Sequence, residues 1–184
     1  MKQRSILLAG LLVWLAGATA LSASGLLYRG VRAPQLVLLL MTALLGLVAA
    51  LNRRFVFELD LRLPIAVHCT RFIGAWFVVL YGQGRLPYDF GVKGGVGDCV
   101  VASLTVLLLA APGVRTRGVL AVWNLLGLAD ILFVVATAAR LAMSQPGSMD
   151  ELRHLPLGLV PTFLVPVIIV SHGVIAVRLA KNRF

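Results

Sequence analysis

An all-α, polytopic membrane bundle of about six helices is the fold class this sequence predicts, and three observations carry it. Mean hydropathy is +0.96 and hydrophobic residues make up 60% of the chain, far more than in a soluble domain of ordinary composition. Six apolar windows approach or exceed the length that crosses a hydrocarbon core of about 30 Å at about 1.5 Å per residue. Those runs are unbroken rather than alternating in ten-residue segments. In lipid, where each element has to satisfy its own backbone, that pattern favours helices over a barrel.

The first span, roughly 6–27, follows the basic start "MKQRS". Its apolar run exceeds the 7 to 15 residues or so of a signal-peptide core, so it reads as a retained helix, with Ala16, Ala20 and Ser24 as a small-residue packing stripe. The second span is shorter, roughly 36–51. The connection "NRRFVFELDLRLP" alternates Phe55, Phe57, Leu59 and Leu61 with Val56, Glu58, Asp60 and Arg62, a period of two that predicts an extended segment at the headgroups. The third span covers roughly 63–81. After it, "GQGRLPYDFGVKGGVGDC" reads as a glycine-rich loop or flexible lid without phosphate-loop or dinucleotide spacing. The fourth span is placed at roughly 99–114, with Asp98 as its N-cap or as a guard at an external mouth. The fifth runs roughly 119–141. In the next connection Ser148 and Glu151 have capping-box spacing, and His154 is expected to be solvated. The sixth covers roughly 157–179, where Pro161 and Pro166 free the carbonyls of Leu157 and Thr162 and bend the helix.

The six spans leave no room for a soluble domain, so residues 1–184 form one integral membrane domain whose chemistry lies in or beside the bilayer. The formal charge of +10 therefore reports topology rather than nucleic-acid binding. Ten Lys and Arg residues fall on the side of both termini and six on the other, which by the positive-inside bias places the termini in the cytoplasm. Cys69 and Cys99 are expected too far apart to bridge and read as small buried apolar residues.

Helical rise places the polar residues of the spans. His68 lies about 8 Å and Arg71 about 12 Å into the third span, Asn124 about 8 Å and Asp130 about 16 Å into the fifth, and His172 about 10 Å from the same boundary in the sixth. A charge at this depth costs about 2.5 to 3.5 kcal/mol on insertion scales and calls for a partner. With the fourth span starting at Cys99, Asp130 is the one deep acidic residue, and an Arg71 to Asp130 pair is the expected contact. His68, Arg71, Asn124, Asp130 and His172 thus form the candidate cluster for a small ligand or ion, with a permeation-related role. Three alternatives stay open: haem b held by His68 and His172, a membrane-embedded enzyme acting on a lipid, and a non-catalytic scaffold working through homo-oligomerisation. HExxH, GxSxG and paired-carboxylate motifs are absent from the sequence.

The phrases "RFIGAWFVVLYGQGRLPYDF", "GVGDCVVASLT", "WNLLGLADIL" and "PLGLVPTFLVPVIIVSHG" resemble a group of small uncharacterised bacterial membrane proteins over Arg71 to His172. The resemblance implies a bacterial inner membrane and carries no activity.

Overall fold

A computed structural model describes residues 2–30 and 32–181. Six of its helices are long and apolar enough to cross a membrane, as expected of a multi-pass membrane protein, and the described residues contain no strand. The elements in order are α1 (Lys2–Ala23), α2 (Ala33–Leu51), the short α3 (Arg53–Glu58), α4 (Arg62–Gly82), α5 (Asp89–Ala110), α6 (Arg117–Ser144) and α7 (Val160–Ala180).

Local chemistry sets most of the boundaries. Between α1 and α2, Gly25 takes φ 74°, a left-handed conformation that costs glycine nothing, and Pro34 occupies the first turn of α2, where no N–H is missed. Thr116 caps α6 by accepting the N–H of Val119 at 3.3 Å. In α7 the two prolines leave a wide π-helical turn at Val160–Leu164 before regular helix resumes. The Leu157 carbonyl is taken by the N–H of Val160 at 2.9 Å, and the Thr162 hydroxyl donates to the Gly158 carbonyl at 2.8 Å.

Two connections differ from the sequence expectation. The segment read as an extended interfacial strand is helical as α3, because Asn52 and the residues after it continue helical backbone bonding from the end of α2. The capping box at Ser148 does not form. The Ser148 hydroxyl donates to the Leu141 carbonyl, and residues 150–153 make a 3₁₀ turn. In the same connection His154 is exposed, as expected, and shares a hydrogen bond with the Tyr28 hydroxyl.

The largest difference is at α5, which begins at Asp89 rather than near Cys99. Four of the glycines that suggested a loop, Gly91, Gly94, Gly95 and Gly97, are a helix-packing surface. A Cβ on Gly95 would meet the backbone of Gly74, one on Gly94 would meet Val134, and one on Gly91 would meet Tyr81 and the Phe77 carbonyl. Without side chains at these points, α5 lies backbone to backbone against α4.

The centre of the bundle is α7. It is 56% buried in its apolar window, against 11% for α1 and for α2, and it packs on α2, α4 and α6. Two apolar clusters fill the interior. On the side away from the termini, Phe77, Leu80, Phe90, Val134, Leu141 and Ile168 pack together. On the side of the termini, Ile65, Leu108, Leu120, Trp123, Ile175 and Leu179 do so. Between these clusters lies a polar layer.

Candidate functional site

The layer is built on an irregularity in α4. Residues Val67–Phe72 follow a 3₁₀ helix, whose three residues per turn bring i and i+3 onto one line, so His68 and Arg71 project inward from the same edge. Both side chains are fully buried.

Arg71 has three acceptors. Its Nε donates to Asp98 Oδ1 of α5 at 2.7 Å, its Nη1 to the Gly127 carbonyl of α6 at 2.9 Å, and its Nη2 to Asp130 Oδ2 of α6. Asp98, expected at the mouth of its helix as a cap, lies nine residues beyond Asp89 and is buried against the guanidinium, because α5 starts earlier than its glycine content suggested. Asp130 is less enclosed, its side chain 20% exposed against 5% for Asp98. The remaining Asp130 oxygen, Oδ1, faces Gly97 so closely that a Cβ there would overlap it.

The histidines form a second group on the α7 side. His68 Nε2 is 3.0 Å from the Ser171 hydroxyl, and His172 Nδ1 is 2.9 Å from Asn124 Oδ1. The Asn124 amide also donates to the His172 carbonyl at 3.3 Å. The two imidazoles are in contact, with centroids 4.1 Å apart, and Trp123 closes on both at 5.0 and 5.9 Å. His68 Nδ1, His172 Nε2 and Trp123 Nε1 are buried without a hydrogen-bond partner. His172 Nε2 points at Gly127, the residue whose carbonyl Arg71 uses.

The five residues singled out by depth therefore lie in one layer, in two groups meeting at Gly127. Asp98, Trp123, Gly127 and Ser171 complete it. Sequence signals exist for some of these: Trp123 and Ser171 adjoin Asn124 and His172, and Gly127 lies three residues from both Asn124 and Asp130, the helical spacing of a shared face. Cys69 and Cys99 are both free.

Haem b between His68 and His172 does not fit this arrangement. A porphyrin plane would have to separate two rings that are in contact, with centroids 4.1 Å apart. Two cavities lie beside the layer. One of about 360 Å³ lies between α2, α6 and α7, lined by Leu38, Phe90, Val135, Ala139, Val160 and Arg153. The other, about 710 Å³, runs between α5 and α6 to the face of Trp123.

The profile of a protein family described as a domain of unknown function, DUF8737, matches residues 31–180. The chain belongs to the DUF8737 family. The match takes in α2 to α7, so every residue of the polar layer lies within the DUF8737 region. Neither a curated protein nor a solved structure matches this chain.

Proposed function

We propose that the chain is a multi-pass protein of a bacterial inner membrane that binds a small monovalent cation in the polar layer, in a permeation-related role. The observation that supports this is the charge count. Arg71 carries +1 and faces two carboxylates, Asp98 and Asp130, so with both ionised the layer holds one negative charge in excess. An uncompensated charge between two apolar clusters is costly, and a bound cation offsets it. Among the described residues no three His, Cys, Asp or Glu side chains converge as a metal-ligand set, which favours a monovalent ion over a divalent metal demanding many oxygen ligands.

The test is thermal unfolding of the purified protein in detergent, across pH and across Li⁺, Na⁺ and K⁺ concentrations. A ligand that binds only the folded state adds about 2.7 kcal/mol at one hundred times its Kd. The unfolding temperature should therefore rise with proton or alkali-ion concentration, and Asp130→Asn should flatten that rise. Superimposable profiles for the variant and the native chain would refute the reading.

A further inference from the structure

We propose that the ion is a proton carried by Asp130 and exchanged with water along the seam between α5 and α6, on the side opposite the termini. This rests on the cation-binding reading above and supplies its ion and its route.

The two carboxylates are not equivalent. Each gives one oxygen to Arg71, Asp98 Oδ1 to Nε and Asp130 Oδ2 to Nη2, but Asp98 is almost fully enclosed and Asp130 is the more exposed of the two. Asp130 Oδ1 occupies the notch left by Gly97, a position with no room for even a methyl group. A proton needs one free carboxylate oxygen. An alkali ion needs several oxygens to replace its hydration shell, and the Gly127 carbonyl of the layer already accepts from Arg71. Protonation at Oδ1 converts the layer from a net charge of −1 to neutrality and leaves both Arg71 contacts in place; deprotonation returns the proton to water.

The route is marked by charged side chains. Lys93 lies one turn from Gly97 on α5, about 6 Å along the axis, and pairs with Asp89 at 2.7 Å. Arg140, ten residues beyond Asp130 on α6, pairs with the same Asp89 at 2.7 Å. Lys93 and Arg140 are each more than half exposed, so an ionic cluster tops the seam and the Gly97 notch lies one turn below it. On the other side of Arg71, the partnerless nitrogens His68 Nδ1 and His172 Nε2 are fully buried. The charged and titratable groups of the layer around Asp130 are thus Arg71 and His68 from α4, Asp98 from α5 and His172 from α7, with Lys93 one turn away on α5 and paired with Asp89.

Carbodiimide labelling of the full chain in lipid vesicles tests this. A protonated carboxyl adds across the N=C=N unit: its proton goes to a nitrogen and its oxygen to the central carbon. The acyl group then migrates to nitrogen as a stable adduct that keeps the whole reagent. Both dicyclohexylcarbodiimide and a water-soluble carbodiimide should modify Asp130 and spare Asp98, read by peptide mass spectrometry. The yield should fall as pH rises and should not respond to Na⁺ or K⁺. Protection by an alkali ion would overturn the proton and leave the cation-binding reading standing. Labelling by the hydrophobic reagent alone would overturn the aqueous route. Absence of an Asp130 adduct while exposed Asp150 is modified would overturn the proposal, and if unfolding is also indifferent to pH and salt, both readings fail.

Discussion

Replacing Arg71 by methionine tests the charge balance of the layer directly. Methionine keeps the length and apolar volume of the stem but removes the guanidinium and its three donated hydrogen bonds, to Asp98, Gly127 and Asp130. Formal charge in the layer moves from −1 to −2, with two carboxylates left facing each other. Removing one partner of a buried ion pair costs about 3 to 5 kcal/mol. For a chain of this length each kcal/mol shifts the unfolding midpoint by about 2 to 4 °C, so Arg71→Met should unfold about 6 to 20 °C below the native protein. Asp130→Asn works in the opposite sense. It loses one charge-assisted hydrogen bond, worth about 1.5 to 3 kcal/mol, but brings the layer to neutrality, and its midpoint should stay within about 4 °C of native. The double variant Arg71→Met with Asp130→Asn should recover part of the loss, since only one carboxylate then lacks its partner. The assay is detergent-solubilised thermal unfolding followed by size-exclusion fluorescence of a tagged chain. The reasoning is refuted if Arg71→Met unfolds within 4 °C of native, or if Asp130→Asn is the more damaging substitution.

Other predictions use the glycines and one buried arginine. Gly97→Ala places a methyl group where Asp130 Oδ1 sits and should cost about 1 to 3 kcal/mol; a chemical-denaturation midpoint equal to native would show that the notch is not filled. Gly74→Ala drives a Cβ into the Gly95 backbone, whereas Gly82→Ala meets nothing within 4 Å. The first should therefore reduce the yield of monodisperse protein sharply and the second leave it unchanged, and equal yields would count against close contact of α4 and α5. Arg178→Met removes the bond from Nη1 to the Leu59 carbonyl, 2.6 Å long and buried. It should lower stability by about 1.5 to 3 kcal/mol and speed proteolysis in the segment before α4; unchanged cleavage there would refute the tether.

The existence of six spans was legible because hydropathy alone fixes it, and axial rise placed His68, Arg71, Asn124 and His172 at similar depth, with Asp130 one layer deeper, before any contact was known. The start of α5 was not legible. Asp89, Lys93 and six glycines between 82 and 97 read as a loop under a hydropathy rule. Four of them, Gly91, Gly94, Gly95 and Gly97, lie within α5 and let α4 and α6 approach it closely, and a hydropathy scale has no term for a missing side chain. The displaced boundary turned Asp98 from a buried partner of Arg71 into a cap at the helix mouth. The 3₁₀ turn at Val67–Phe72, which packs on α5 and α7, was equally hidden, since hydropathy does not distinguish a 3₁₀ turn from regular helix.

The separation of Arg71 from its partners along the chain has a consequence for biosynthesis. Asp98 follows it by 27 residues and Asp130 by 59. At about 5 to 20 residues per second, Asp130 is synthesised about 3 to 12 seconds after the arginine that it will meet. During that interval α4 alone would carry an unmatched cation into lipid, while α4 and α5 released together as a hairpin would carry a matched pair. The insertion machinery thus has reason to hold α4 until α5 is made, and to admit α6, with the second carboxylate, into a bundle whose arginine is already in place.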